Sequence, residues 1–371
     1  MEEVLEIDIA IIGGGIIGLT AALEISNRFK NLDIALFEKE QYLGDQTTGR
    51  NSGVLHAGIY YPNNSKKHIY CIEGNEIWTK LAQDLEIPIN RCGKFIVATK
   101  EGELTRLNEI FNQAKKNNVP GIREATTQEK IELRKDINVA DALFSPATGI
   151  LGVPDAVKKI EAKVFNNNVP ILLNNPVSKL SKSEKGFLIQ TVREEFLAKV
   201  VINCAGLHAL NLRRQLGLND LSEHWVKGNY LKFNGIIHCN SLIYPIPPEA
   251  LNGLGVHSTM DIDNQLRFGP NTELIDSINY AVTDKVIEDM WPSINQLFIN
   301  VKKEQLTPDY SGIRPRVKRS EDSTLISDFL LQSERDHKIK GYIELLGIES
   351  PGITASPAIA KWIAKQIENY Y

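Results

Sequence analysis

The run Gly13-Gly14-Gly15-Ile16-Ile17-Gly18, directly behind the apolar stretch Ile7 to Ile12, constrains the fold of this chain more than any other feature of its 371 residues. An apolar run so little interrupted suits a parallel strand buried on both faces. The glycine run is a GxGxxG motif set between that strand and a helix predicted from Ile16 to Phe29. In that setting Gly13 permits the tight turn, Gly15 lets the backbone approach a pyrophosphate, and Gly18 lets the helix pack closely on the sheet. The positive end of the helix, opening at Ile16, then meets the phosphates. A second predicted strand, Asp33 to Phe37, ends at Glu38-Lys39, about twenty residues past the motif, where an acid accepts from a ribose 2′-hydroxyl. The fingerprint therefore predicts a bound dinucleotide. It does not separate FAD from NAD, because both carry an adenosine diphosphate half.

Length and charge narrow the setting. A chain of this size suits two packed domains, and 42% hydrophobic with 24% charged residues is the balance of a globular protein. The net charge of -4, with Lys and Arg scattered, leaves no basic footprint for nucleic acid. Cys71, Cys92, Cys204 and Cys239 stand far apart without metal-ligand spacing and read as reduced thiols, so no metal site is expected. Glu2, Glu3, Glu6 and Asp8 give the start the wrong charge for an export signal. Glycines and Glu24 interrupt the apolar run Ile9 to Ile25, so no membrane span is expected. The expected location is cytoplasmic, with peripheral contact at the inner face of the membrane through the terminal helix as a second reading.

Three strand-and-helix units, Asp8 to Glu38, Val200 to Leu216 and Gly341 to the C-terminus, predict an α/β fold: a Rossmann-like cofactor-binding domain with an inserted α+β substrate domain on a mixed antiparallel sheet. The discontinuous cofactor domain is drawn as 1–75, 145–218 and 325–371, and the substrate domain as 76–144 and 219–324. Helices are predicted over Glu73 to Gln83 and Glu101 to Asn117, and strands over Gly186 to Thr191 and Tyr230 to Phe233. The strand Val200 to Asn203 ends in Cys204-Ala205-Gly206, whose small side chains permit close approach to a ligand or to a neighbouring helix. The strand Tyr342 to Leu346 leads through Gly347-Ile348-Glu349-Ser350-Pro351-Gly352-Ile353-Thr354 into a last helix. Such a helix N-terminus stabilises negative charge on a reduced flavin, as it would on any anion.

The block Gly49-Arg50-Asn51-Ser52-Gly53-Val54-Leu55-His56-Ala57-Gly58-Ile59-Tyr60-Tyr61 resembles the L-2-hydroxyglutarate dehydrogenase and oxidase family, within the D-amino-acid oxidase class of flavoproteins. Gly255-Val256-His257-Ser258, Gly269-Pro270-Asn271, Tyr310-Ser311-Gly312-Ile313-Arg314-Pro315 and the Gly347 to Ser356 loop are similar to it as well, so the resemblance covers the whole chain. The block departs from many members at Arg50, where His is common, and at Ala57, where Ser is frequent. The resemblance implies FAD, held noncovalently because no cysteine stands near the C-terminal motif. It also implies oxidation of a 2-hydroxy acid, L-2-hydroxyglutarate to 2-oxoglutarate, with oxygen or quinone receiving the electrons. An amine or amino-acid oxidase of the same fold is the rival reading, and a noncatalytic flavin-binding protein the remote one.

Such chemistry needs a fixed carboxylate and a base for the hydroxyl proton. Arg314 is the candidate for the first, since its planar guanidinium grips a carboxylate bidentately. His257 and His56 are the candidates for the second, with His257 preferred as base and His56 placed near the flavin. Tyr60 and Tyr61 are candidate donors to a second substrate carboxylate, while Lys227 and Arg267 are candidates to complement a dicarboxylate but read first as solvated charges. The expected cofactor contacts are Gly13, Gly15, Ile16, Gly18, Glu38, Lys39, Thr47, Thr48, Arg50, Asn51, Ser52, Val177, Ala205, Gly206 and Gly312, with Gly347, Ser350, Pro351, Gly352, Ile353 and Thr354 from the closing loop.

Overall fold

The first strand, Leu5–Ile12, lies parallel to Ile34–Phe37 on one side and Glu195–Asn203 on the other. These elements belong to a computed structural model that describes residues 4–247 and 255–371; residues 1–3 and 248–254 of the predicted domain ranges lie outside it. Only the second half of the first strand, Ile9 to Ile12, is buried, and there the run is apolar on both faces. Tyr342–Leu346 extends the sheet in parallel, and Gly186–Thr191 and Val177–Ser183 extend it antiparallel.

The fingerprint helix Ile16–Arg28 packs along the terminal helix Gly352–Ile367, with Ala21, Ala22 and Ala355 allowing close approach inside one core. Ile359, Ile363 and Ile367 are fully buried in that core, each contributing about 1.5–3 kcal/mol. The apolar side of the terminal helix is thus covered by protein, and Lys361 and Lys365 point outward. No described helix is long and apolar enough to cross a membrane.

The helix Lys66–Leu85 begins where the Ser65 hydroxyl accepts from the His68 N–H and ends at the left-handed Glu86. It runs unbroken through the boundary drawn at 75, and its Trp78 and Ala82 join the core of the nucleotide-binding sheet. The boundary therefore falls inside a helix. Gly74 sets the contact: a Cβ there would stand 2.0 Å from the Thr354 carbonyl oxygen.

Facing this layer, the strands Leu221–Phe233 and Leu306–Arg319 pair antiparallel along most of their length, and Leu266–Gly269 and His257–Met260 continue the sheet. A second, mixed sheet carries Leu242–Pro245 and Lys94–Ala98 side by side. The two sheets join where the Ile243 N–H donates to Ser258 Oγ at 2.9 Å. Helix Lys285–Leu297 closes the outer face with Val286, Met290, Ile294 and Leu297. The architecture is α/β with an added antiparallel layer, and the layers meet at the carboxyl ends of the parallel strands, where such sheets bind ligands.

Candidate active site

A cavity of about 580 Å³ runs from the fingerprint to the antiparallel sheet that carries Arg314 and His257, within the range of cofactor and small-molecule sites. Its floor at one end is glycine by steric necessity. Gly13 has φ +111°, and a Cβ on it would lie 2.4 Å from the Cys204 carbonyl oxygen, while one on Gly18 would lie 1.9 Å from that of Gly13. A Cβ on Gly15 would meet only the Thr48 hydroxyl, at 3.1 Å, so its backbone stays open to a close neighbour. The Glu38 carboxylate accepts from Gly14 N–H at 2.7 Å and Glu40 N–H at 2.8 Å. Each of its oxygens keeps a lone pair for a further donor. Thr48 Oγ1 accepts from Ile16 N–H at 2.9 Å, so this hydroxyl fastens the loop to the helix N-terminus.

Among the expected cofactor contacts, Gly13, Gly15, Ile16, Glu38, Lys39, Thr47, Thr48, Arg50, Asn51, Ser52, Val177, Ala205, Gly206, Gly312, Ser350, Pro351, Gly352 and Ile353 line this cavity. Gly18, Gly347 and Thr354 do not. Gly18 packs the helix on the turn, and Gly347 supplies a φ of +66° at the end of its strand. Thr354 is buried and accepts from His56 N–H at 3.0 Å, so it positions a histidine. Asn51 holds its own loop together through Thr47 O, Thr48 O and Gly53 N–H.

Asn175 lines the same end of the cavity, 2% exposed, with its Oδ1 unpartnered. A buried carbonyl oxygen left so calls for a ligand donor, such as the exocyclic amine of an adenine. With the glycine cradle, the acid at the second strand and the helix N-terminus, this donor set fits FAD. The sequence marks Asn175 only as one polar residue of a loop, because burial of its side chain comes from the sheet folding around it.

At the far end the antiparallel sheet, the segment His56 to Tyr61 and the closing loop bring together residues distant in sequence. Arg314 lies on the long strand Leu306–Arg319; Gly228, on the neighbouring strand, leaves its side chain room, since a Cβ there would stand 3.3 Å from Nη2. Its Nη1 is buried without a hydrogen-bond partner, and burial lowers the guanidinium pKa. His257 stacks on Tyr244, with ring centroids 3.8 Å apart, and its Nδ1 lies 2.8 Å from Gly255 O. A carbonyl only accepts, so Nδ1 carries the hydrogen and Nε2 keeps its lone pair. Desolvation pushes this imidazole down to about 3, the Lys94 and Arg314 charges adding to the effect. His56 is buried likewise, held well below its ordinary range by desolvation, then by Lys94 and His257. Its Nε2 lies 3.0 Å from Ser350 Oγ, and Tyr61 lines the same cavity. The Tyr60 hydroxyl is buried and unpartnered.

Two charges depart from the sequence reading, and a third was not marked by it. Lys227 is 5% exposed and donates to Ala281 O, and Arg267 pairs with Asp261 and Asp309; neither is a freely solvated charge. Lys94, which carries no sequence motif, is 1% exposed beside Tyr60 and Tyr244. Its signal is a lysine inside the apolar run Lys94 to Ala98, all buried. Glu349 is buried between Lys67 and Arg316 at 2.8 Å each. Among the described residues lining this end of the cavity Glu349 is the one carboxylate, so the end is net positive.

Comparison with known proteins agrees with this site. The FAD dependent oxidoreductase family model matches residues 8–366. The mitochondrial L-2-hydroxyglutarate dehydrogenase of Arabidopsis thaliana is 33% identical, over 97% of this chain and 83% of its own. A glycerol 3-phosphate dehydrogenase of Caloramator mitchellensis is 29% identical over 98% of this chain and 74% of its own. Among solved structures, the dithionite-reduced, FAD-bound L-α-glycerophosphate oxidase of Mycoplasma pneumoniae superposes with TM-score 0.86 at 25% identity, covering 98% of this chain and 95% of its own. Glycine oxidase of Geobacillus kaustophilus superposes with TM-score 0.81 at 20% identity, with the same coverage, and shows the fold. The cradle that only glycine can form and the charged far end are thus parts of one flavoenzyme plan, and this chain belongs to the FAD-dependent oxidoreductase family.

Proposed function

We propose that the enzyme oxidises a 2-hydroxy acid at its α-carbon, taking L-2-hydroxyglutarate to 2-oxoglutarate. The observation that carries this reading is Arg314, buried on the cavity wall with one guanidinium nitrogen lacking a partner. A buried donor of that kind is satisfied by a carboxylate, and bidentate pairing fixes the orientation of the attached α-carbon. His257 then receives the hydroxyl proton at Nε2, the nitrogen its bond to Gly255 O leaves basic. Without substrate the ring stays neutral between two cations; the incoming carboxylate offsets their charge and raises its basicity. His56 and Ser350 form a hydrogen-bonded pair at the closing loop, with Tyr61 on the same cavity wall. Bound FAD supplies the acceptor for the hydride that leaves the α-carbon.

The relatives named L-2-hydroxyglutarate dehydrogenase support this substrate. Arg314 would grip the carboxylate of an amino acid equally well, but the net positive charge of the site disfavours an ammonium beside it. Product analysis tests the proposal: aerobic incubation with L-2-hydroxyglutarate yields equimolar 2-oxoglutarate when oxygen or an added quinone analogue is present. Formation of glyoxylate from glycine, with no 2-oxoglutarate from L-2-hydroxyglutarate, would overturn it.

A further inference from the structure

Lys94 is a cation that the fold buries without an anion. Its Nζ lies 4.8 Å from the centre of the Tyr60 ring and 4.4 Å from that of Tyr244. Among the described residues no ion pair or hydrogen bond meets its ammonium. Cys71 is the one thiol whose charge would help it, but burial pushes that thiol up to about 12 and its Sγ donates to His56 O, so it stays neutral. An uncompensated buried ammonium is costly, and two aromatic faces offset only part of that cost. The amine is accordingly pushed down to about 7.

Lys94 is not itself among the residues that line the cavity, but its neighbours are. Tyr60 and Tyr244, whose rings flank Nζ, line the cavity, and the Tyr60 hydroxyl has no partner of its own. Lys94 and Arg314 both act electrostatically on His257, and Lys94 on His56 as well. The candidate base therefore stands within reach of two separate cations, each unmatched. One carboxylate satisfies only one of them.

We infer that Lys94, together with the Tyr60 hydroxyl, holds a second acidic group of the substrate, remote from the carboxylate that Arg314 grips. This assignment rests on the proposed function for Arg314 and His257, and it makes Lys94 a specificity-determining residue. It selects a short substrate with an anion at each end and the reacting hydroxyl between or beside them. The distal anion is a carboxylate or a phosphate, since an ammonium pairs with either.

The test is anaerobic flavin reduction by the FAD-loaded enzyme, wild type and Lys94→Met, with L-2-hydroxyglutarate, L-2-hydroxybutyrate and sn-glycerol 3-phosphate. The wild type is reduced by hydroxyglutarate at far lower concentration than by hydroxybutyrate. In Lys94→Met the half-saturating hydroxyglutarate concentration rises on the order of 10²-fold, while that of hydroxybutyrate, which has nothing to offer Lys94, is unchanged. An unchanged hydroxyglutarate concentration in the variant overturns the Lys94 assignment and leaves the proposed function standing. Wild-type enzyme reduced by neither hydroxy acid overturns the proposed function. If glycerol 3-phosphate then reduces it and the variant responds only at much higher concentration, Lys94 stands as the site of a phosphate; if the variant responds equally, or nothing reduces the wild type, Lys94 falls too. Wild-type binding gives a readout independent of any variant: glutarate competes with substrate about tenfold or more better than butyrate. Equal competition overturns the assignment.

Discussion

Gly312→Ala probes the seam between the two layers of the site. A Cβ on Gly312 would stand 1.9 Å from the Arg50 carbonyl oxygen, where ordinary contact begins at 3.4 Å, so the two backbones must part by roughly 1.5 Å. The strand has little room to retreat. Gly312 is paired with Gly228, whose own side is blocked by Pro270, a Cβ there meeting it at 2.6 Å. The strain is therefore shared by the loop that carries Thr48 and by the strand segment that carries Arg314. Losing the Thr48 bond to Ile16 N–H removes about 1 kcal/mol of cofactor-loop order, or roughly fivefold in FAD affinity. Shifting Arg314 by about 1 Å costs on the order of 10²-fold in kcat/KM. Fluorescence titration of the apoprotein with FAD and anaerobic stopped-flow reduction read the two effects separately. Wild-type values of both would refute the view that this glycine seam sets the geometry of the site.

Arg314→Met raises KM steeply and lowers kcat/KM by about 2–5 kcal/mol; a near-normal kcat/KM removes Arg314 from the substrate. His257→Ala loses flavin reduction rate while retaining substrate binding, and unchanged reduction moves the base to His56. His257, with its ordinary value of 6.5 depressed to about 3, also has a stability signature. Between those values the unfolded chain takes up a proton that the folded one refuses, so stability falls as pH drops from about 6.5 toward 3, by up to about 1.4 kcal/mol per pH unit. Denaturant melts of His257→Gln show a flatter acid slope over pH 4–6; an identical slope contradicts the burial. Acid precipitation releases the flavin into the supernatant, and yellow colour kept in the pellet contradicts noncovalent attachment.

The nucleotide end was legible in the sequence because its demands are local. A positive φ at Gly13 and the close contact at Gly18 admit only glycine, and the acid closing the second strand lies at a spacing set by one strand-helix-strand unit. The strand Gly186–Thr191 was visible for a similar reason, its alternation matching one buried face. The helix at Glu73 to Gln83 was visible too, but not its allegiance, because the pattern marks an apolar side without saying which core receives it. Thr48 satisfies a helix N-terminus 32 residues before it, and no local pattern announces such a bond. Lys94 was the largest omission. Lysine on a strand ordinarily reaches solvent, and only the packing of Tyr60 from one segment and Tyr244 from another encloses it. Arg314 and His257 stood out through family resemblance, whereas their shared electrostatic field belongs to the folded site.

The most direct test of the central claim is anaerobic bleaching of the oxidised flavin band by a panel of acids. L-2-hydroxyglutarate should bleach the enzyme-bound flavin stoichiometrically, with D-2-hydroxyglutarate, glycine and D-amino acids inert. Bleaching by glycine or a D-amino acid while L-2-hydroxyglutarate leaves the band intact would contradict the account.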